Sequence, residues 1–300
     1  MAATAPTAPT VARRKRAAPW AYVFLLPTVL IMGLFDYWPL VSTFKLSTEA
    51  TDLFGRPAGF VGFENYADML GDPDFVRTLI TTFVFMVATV LGKLACGLAI
   101  AVPLSSRLAG SRLVRPIVLI PMAFSVAIAS VVFKTMFLPT SGTIDAFLGL
   151  FGIVGPAWLT DPSWAMVSVV IVDVWTNIGM VVLLLLAAID GVPLSVLEAA
   201  DIDGASWWQR IWNIQIPLIT PTLFFITVTQ SVQALREFTL INVLTKGGPN
   251  GATTTLTVDL YQQAFASNAD YGASAARGVI LMVIVGVLSF MQFRLERRVN

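Results

Sequence analysis

Several polar side chains interrupt the long apolar runs of this chain, and their types suit the recognition of a polar solute by hydrogen bonds. Asp173 and Asn177 lie four residues apart in "VVIVDVWTNIGMVV", so a helix would place them on one face. Gln230, Gln233 and Arg236 recur every three residues, which again predicts one helical face. A guanidinium group binds a phosphate through two hydrogen bonds at once, whereas side-chain amides suit hydroxyl groups. The pattern predicts a polar path for a hydroxylated or phosphorylated solute.

Charged residues add to this set. Glu237 follows Arg236, and Lys93 lies in the middle of another apolar run. An ionisable residue inside a membrane costs about 2.5–3.5 kcal/mol on insertion scales and usually faces a cavity or a partner. Two interpretations stay open: these groups line a solute path, or they satisfy one another or a second subunit. For Lys93 and Asp173 an ion pair across the bundle is favoured. The predicted path residues are Asp173, Asn177, Gln230, Gln233, Arg236 and Glu237.

Catalytic chemistry finds little support in the sequence. There is no His and only one Cys, which removes the commonest proton shuttle and metal ligand. Cys96 lies in an apolar run and is expected to be a small buried residue. No G-x-x-x-x-G-K-[ST] phosphate loop occurs, so this chain is not expected to bind ATP itself. We therefore expect no catalytic residue, no metal site and no cofactor in this chain, and an intramembrane enzyme is disfavoured.

Composition places these residues in a membrane. The chain is 56% hydrophobic and 12% charged, with a mean hydropathy of +0.78, whereas soluble domains are about 25% charged. The net charge of +1 without a basic domain argues against nucleic acid as a partner. A helix needs about 20 mostly apolar residues to cross the hydrocarbon. The sequence predicts an all-α integral membrane protein with six transmembrane helices, near Trp20–Phe44, Thr78–Pro103, Pro116–Leu138, Trp164–Ala188, Pro217–Val243 and Gly272–Phe293.

The distribution of charges predicts the orientation. Lys and Arg residues cluster before the first predicted span, after the second, fourth and sixth, and therefore on one side. Because basic loops stay in the cytoplasm, both termini are predicted to be cytoplasmic. Residues 1–16 form a basic, Ala/Thr/Pro-rich tail that is expected to be disordered, and residues 17–300 form one transmembrane domain. The first apolar run is long, and is expected to be a retained helix rather than a cleaved signal peptide.

One polar segment, residues 193–217, stands between the fourth and fifth spans. Its first part predicts a short acidic helix over Leu194–Ile202, outside the membrane, that begins after Pro193 and ends before Gly204. A glycine at that end allows backbone angles that other residues resist. The following residues combine Trp207, Trp208 and Trp212 with Arg210, a composition suited to membrane headgroups. The segment is either a plain interfacial loop or a docking element for another protein.

The spacing in this segment resembles a known motif. "EAA" at 198–200 is followed by three residues, Gly204, nine residues, and then "IQIP" at 214–217. This resembles the cytoplasmic loop of ABC importer permeases, with Ile216 where Leu is usual. "LLPTVLIMGLFDYWPL" and "VLTKGGPNGATTTL" are similar to the carbohydrate-uptake branch, and the chain most resembles its glycerol-3-phosphate subgroup. The resemblance implies the MetI-like type I importer fold with a coupling helix, whose contact residues would be Glu198, Ala199, Ala200, Asp201, Asp203 and Gly204.

The resemblance also implies an assembly. This chain would pair with a homologous second permease in the bacterial inner membrane, contact lipid, and join two ATP-binding subunits that hold ATP and Mg. An extracytoplasmic substrate-binding protein would deliver the substrate, either glycerol-3-phosphate or a glycerophosphodiester such as glycerophosphocholine. The alternative is the same machine carrying a sugar or oligosaccharide. An autonomous channel or secondary transporter would need no docking element and is disfavoured.

Overall fold

The computed structural model describes residues 19–52, 54, 56–105, 111–265 and 269–299. The predicted disordered tail, 1–16, lies outside the described residues. By internal contacts the chain divides into two compact units, one ending at Lys45 and the other beginning at Leu46. The first unit is the helical segment of the first predicted span. The second contains the other described helices and both strands.

Helices dominate both units, with one short antiparallel hairpin. The fifteen described α-helices are α1 (Pro19–Met32), α2 (Trp38–Leu46), α3 (Glu64–Gly71), α4 (Pro73–Ser105), α5 (Ser111–Leu119), α6 (Val126–Met136), α7 (Thr143–Gly149), α8 (Pro162–Asp190), α9 (Leu194–Ile202), α10 (Trp207–Arg210), α11 (Ile216–Leu218), α12 (Thr220–Leu235), α13 (Thr239–Leu244), α14 (Leu256–Phe265) and α15 (Tyr271–Val299). The strands are β1 (Glu49–Thr51) and β2 (Pro57–Phe60).

The six predicted spans are recovered, but two of them are broken. Four described helical stretches are long and apolar enough to cross a membrane: Val23–Leu46, Pro73–Ser105, Pro162–Asp190 and Tyr271–Arg294. The third span is a pair, Leu113–Ala123 and Val126–Met136, bent by 97°. The fifth is a pair, Trp207–Leu218 and Thr220–Leu235, bent by 66°. The predicted spans near Pro116–Leu138 and Pro217–Val243 are therefore each a bent pair of helices rather than one continuous helix.

Prolines account for these irregularities, because proline lacks the N–H that an α-helix needs at interior positions. Pro121 lies in a 3₁₀ turn, Ile120–Ala123, between α5 and α6. Pro217 follows a π-helical turn, Ile211–Gln215, in which the Ile216 N–H donates to the Ile211 carbonyl. The first span repeats this pattern, with a π turn at Gly33–Tyr37 shortly before Pro39. A wider π turn re-satisfies the backbone near Pro39 and Pro217, whereas a tighter 3₁₀ turn contains Pro121.

The core of the second unit lies along α8. Leu185 is fully buried in one apolar cluster, near the 193–217 segment, and Val172 in a second, with Phe85 of α4. Helix α4 approaches α8 closely at Gly97, where an added Cβ would lie 2.7 Å from Val181 Cγ1. Small residues permit such close helix packing in membranes, where van der Waals contact provides much of the stabilisation. This close packing fixes the relative positions of α4 and α8, which carry the candidate polar site.

Strands β1 and β2 are the described departure from an all-helical fold. They pair antiparallel, with Glu49 opposite Phe60. Asn65 of α3 supports the hairpin, because its Nδ2 donates to the Ser47 and Glu49 carbonyls at 3.0 Å each. The hairpin belongs to the acidic loop between the first and second spans, which contains Glu49, Asp52, Glu64, Asp68, Asp72 and Asp74 and which the charge distribution predicts to lie opposite the cytoplasmic side.

Cys96 does not have its expected position. It is exposed rather than buried, because it faces away from α8, whereas Gly97, the next residue along α4, packs against it. A helix that is apolar on all sides gives no sequence signal for the face that will be covered.

Candidate functional site

The centre of the polar site is an ion pair between α4 and α8. Lys93 Nζ lies 2.7 Å from Asp173 Oδ2, and the two side chains are 0% and 1% exposed. The predicted pairing of these residues across the bundle is confirmed. Removal of either charge would leave the other buried without a counter-ion, which is costly in a low-dielectric interior. The pair therefore fixes the register of the two central helices.

A hydrogen-bond chain extends from the ion pair to a third helix. Asn177 Nδ2 donates to Asp173 Oδ1 at 3.1 Å and to the Asp173 carbonyl at 2.9 Å. Gln233 Nε2 of α12 then donates to Asn177 Oδ1 at 2.7 Å. The Gln233 side chain is exposed, so this series of hydrogen bonds runs from a fully buried charge to an accessible amide. This arrangement can present hydrogen-bonding groups at the surface of the bundle while their orientation is fixed from within.

Gln230, Gln233 and Arg236, which recur every three residues, do not form one accessible stripe on α12. Gln230 is buried, and its Oε1 has no hydrogen-bond partner among the described residues. Gln233 and Arg236 are exposed, and Arg236 caps the end of α12. Each three-residue step falls about 60° short of a full turn, so Gln230 lies beside Gln233 on α12 but farther toward the buried side. Gln233 and Arg236 remain accessible candidates.

Glu237 lies beyond the end of α12. Its Oε1 accepts a hydrogen bond from the Leu240 N–H at 2.9 Å, at the first turn of α13. The Glu237 side chain is half-buried at this position. No ion pair between Glu237 and Arg236 is present in the described part of the chain.

These polar groups can bind a solute, but they offer little for a metal ion. Within the described ranges, no group of three or more His, Cys, Asp or Glu side chains is placed to hold one.

The predicted acidic helix is present with the predicted bounds, as α9, Leu194–Ile202. Its inner face is small: Ala200 is 5% exposed, and Leu197 packs against the apolar cluster around α8. Its outer face is open, with Ile202 87% exposed, and Glu198 and Ala199 are exposed beside it. The helix is therefore held against the bundle by one edge and presents the rest to its surroundings.

Two local features fix the backbone conformation after α9. Gly204 has φ = +73°, a left-handed conformation, and an added Cβ would meet nothing within 4 Å. The glycine is thus required for backbone conformation and not for space. Ser206 and Gln209 form a reciprocal capping box at the start of α10, with Ser206 N–H donating to Gln209 Oε1 at 2.7 Å. The sequence interpretation missed this box, although Ser-x-x-Gln is its known signature.

The acidic residues of the segment divide by their contacts. Asp201 forms an ion pair and a hydrogen bond with Arg210, which links α9 to α10. Glu198 and Asp203 are exposed, and neither side chain has a hydrogen bond or ion pair within the part of the chain that the structure describes. Asp201 therefore braces the loop, whereas the carboxylates of Glu198 and Asp203 are available to a partner.

The backbone at Gly204 gives a direct test of this geometry. Replacement of Gly204 by Val is expected to weaken association with an ATP-binding subunit by about tenfold, because a β-branched residue resists the left-handed region at a cost of about 1–3 kcal/mol. Gly204→Asn is the matched control, since Asn tolerates that region. Co-purification of the complex measures the effect. Equal yields for Val and wild type would contradict a conformational role for the glycine.

The comparisons with known proteins agree with this geometry. Residues 93–300 match the family described as binding-protein-dependent transport system inner membrane component. The chain is 36% identical over 281 residues to the sn-glycerol-3-phosphate transport system permease protein UgpA of Agrobacterium fabrum, covering 93% of this chain and 95% of that protein. A UgpA permease of Pectobacterium atrosepticum is also 36% identical, over 283 residues, with 93% of this chain and 95% of that protein covered.

Solved structures agree on the fold. A chain of a bacterial alginate ABC transporter, in complex with an alginate pentasaccharide-bound periplasmic protein, matches with a TM-score of 0.81 and 23% identity. The match covers 93% of this chain and 94% of that one. The six-span helical fold is therefore that of type I importer permeases. Together with the family match, these observations show that the chain belongs to the binding-protein-dependent transport system inner membrane components, as a multi-pass permease subunit of an ABC importer.

Proposed function

We propose that this permease forms half of the translocation path for glycerol-3-phosphate or a glycerophosphodiester and couples it to ATP hydrolysis by separate subunits. The observation that carries the coupling role is α9: its carboxylate at Glu198 is exposed and unpartnered, while Asp201 and Gly204 fix the backbone around it. A rigid, accessible acid with exposed apolar neighbours suits a cleft on another protein. The proposed docking residues are Glu198, Ala199, Ala200, Asp201, Asp203 and Gly204.

The substrate assignment rests on the relatives and on the polar site. The relatives are named for glycerol-3-phosphate transport. In this chain Arg236 supplies an exposed guanidinium and Gln233 an exposed amide, which match a phosphate and a hydroxyl. The Gln233 amide is oriented by its hydrogen bond to Asn177, which is in turn bonded to the buried Asp173–Lys93 pair. Gln230 and Glu237 belong to the same path in our proposal, Gln230 through its unsatisfied buried oxygen.

The complete machine in this proposal contains four kinds of subunit. This chain pairs with a homologous permease, two ATP-binding subunits carry ATP and Mg, and an extracytoplasmic binding protein delivers the substrate. The permease itself has no catalytic role, and both of its termini lie in the cytoplasm, as the Lys and Arg distribution favours.

ATPase activity of the reconstituted complex tests the substrate assignment. We expect the binding protein loaded with glycerol-3-phosphate or glycerophosphocholine to stimulate hydrolysis, and maltose-like sugars to have no effect. Stimulation by the sugars alone would assign the machine to oligosaccharide uptake instead, with the coupling role unchanged.

The role of Arg236 has its own test. Arg236→Gln is expected to lower transport of a phosphorylated substrate by about tenfold, because a charge-assisted hydrogen bond contributes about 1.5–3 kcal/mol. Transport of glycerol or another neutral analogue by the same variant should change little. Arg56→Gln is a matched control, because Arg56 is exposed in the outer hairpin region. Equal losses for charged and neutral substrates would remove phosphate recognition from Arg236.

A further inference from the structure

A cavity of about 610 Å³ lies beside α9, the proposed docking helix (Leu194–Ile202). It is enclosed by the ends of α4 and α8 and by residues of α9 and α10. Two arginines line it: Arg115 of α5 and Arg210 of α10. Most of its other lining residues are apolar, among them Val102, Ile189 and Leu197, and its other polar members are Ser105, Asp190 and Gln215. The cavity thus combines two guanidinium groups with an apolar wall, which is the chemistry of an amphiphilic anion.

The arginine donors in this cavity are incompletely used. Arg115 Nη2 lies 3.5 Å from Asp190 Oδ2, a long contact between two side chains that are 43% and 47% exposed. Its other described bond is to the Leu104 carbonyl at 3.3 Å. Arg210 is paired with Asp201, but its Nε is buried without a hydrogen-bond partner among the described residues. The Arg210 Nε is enclosed by protein and is not available to a ligand, but a guanidinium has five N–H donors, so each arginine keeps terminal N–H groups for a further acceptor.

Helix α5 contributes Arg115 to the cavity and has an exposed apolar face on its other side. Leu113 and Ile117, two residues before and after Arg115, lie on the side of α5 opposite to it and are 74% and 59% exposed, as expected for side chains that contact acyl chains. Trp207 lines the same cavity, and Trp is enriched at the level of the headgroups. Basic pockets between membrane helices on the cytoplasmic side suit anionic headgroups.

We propose that this cavity binds the phosphate of an anionic phospholipid from the cytoplasmic leaflet, with Arg115 and Arg210 as its ligands and the apolar wall against the acyl chains. The proposal rests on the cytoplasmic orientation given above, but not on the transported substrate. A lipid bound there touches α5, α8, α9 and α10 together, and so joins the docking helix to the membrane helices. Lipid composition would then affect coupling through a site separate from the solute path.

Quenching of Trp207 by brominated lipids in the reconstituted complex tests the proposal. The Trp207 signal is the difference between wild type and Trp207→Phe. We expect stronger quenching by brominated phosphatidylglycerol than by brominated phosphatidylcholine. Arg115→Gln should lower the affinity for phosphatidylglycerol about fivefold, because each arginine near an anionic membrane surface contributes about 1 kcal/mol to binding. Arg115→Lys should retain most of the selectivity and shows that the site still folds. Arg294→Gln, a cytoplasmic-side arginine outside the cavity, should retain it fully.

Three outcomes would overturn the proposal. Equal quenching by the two lipids would show that the cavity does not select an anion. Displacement of phosphatidylglycerol by millimolar inorganic phosphate or glycerol-3-phosphate would assign the site to a soluble phosphate. Absence of quenching in the complex, with quenching in the permease alone, would show that an ATP-binding subunit fills the cavity. None of these outcomes depends on the solute that the importer carries, so failure here is distinct from failure of the proposed function.

Discussion

An importer carrying Glu198→Ala is expected to hydrolyse ATP without taking up substrate. The Glu198 side chain is exposed and has no partner within the described part of the chain, so its removal costs the permease fold little. In the proposed docking, the substitution removes a charge-assisted contact to the ATP-binding subunit of about 1.5–3 kcal/mol, which corresponds to roughly tenfold to a hundredfold in the coupled step. Uptake should therefore fall by that factor, while ATPase activity becomes independent of the loaded binding protein.

Uptake into proteoliposomes and ATPase activity, measured on the same preparation, separate coupling from assembly. Glu198→Gln keeps the shape without the charge and should fall between wild type and Ala. Glu64→Gln provides a control, because Glu64 is exposed in α3 but belongs to the acidic loop on the opposite predicted side. If Glu198→Ala transported at the wild-type rate, the Glu198 carboxylate would have no part in coupling, and the proposed docking through this residue would be wrong.

The second large effect concerns the buried ion pair. Asp173→Asn is expected to destabilise the permease by about 3–5 kcal/mol, because it leaves the Lys93 ammonium buried without a counter-ion. The double variant Lys93→Met with Asp173→Leu should recover most of that loss, because well-packed apolar residues often replace a buried pair at little cost. In the double variant Asn177 keeps its bonds to the residue 173 carbonyl and to Thr176 Oγ1 but loses the Asp173 carboxylate as an acceptor. The Gln233 amide would then be less well oriented.

Equilibrium unfolding of the purified permease in mixed detergent gives the free energies. Asp190→Asn is the matched control: it breaks the pair with Arg115, whose side chains are about half exposed, and exposed pairs contribute about 0–1 kcal/mol. A similar small effect for Asp173→Asn would show that Lys93 reaches water or another anion. A double variant as unstable as the single one would show that the cost arises from packing and not from the unpaired charge.

Local patterns in the sequence determined much of this protein. Six apolar runs predicted six spans, and the bounds of α9 were predicted to the residue, because Pro193 and Gly204 mark its ends by backbone chemistry alone. The Lys93–Asp173 pair was the favoured one of two interpretations, since opposite charges in apolar spans gain by meeting each other, and the structure contains it. In each case the deciding interaction is local, or is the only one open to a costly group.

Only the tertiary structure decided which faces are covered. It buried Gln230 while leaving Gln233 exposed, exposed Cys96, assigned Asp201 to Arg210, and bent the third and fifth spans. In a soluble helix, polar residues mark the outer face, but in a membrane the lipid-facing and core-facing sides are both apolar. Periodicity therefore cannot distinguish them, and the covered face is set by the neighbouring helices that pack against it.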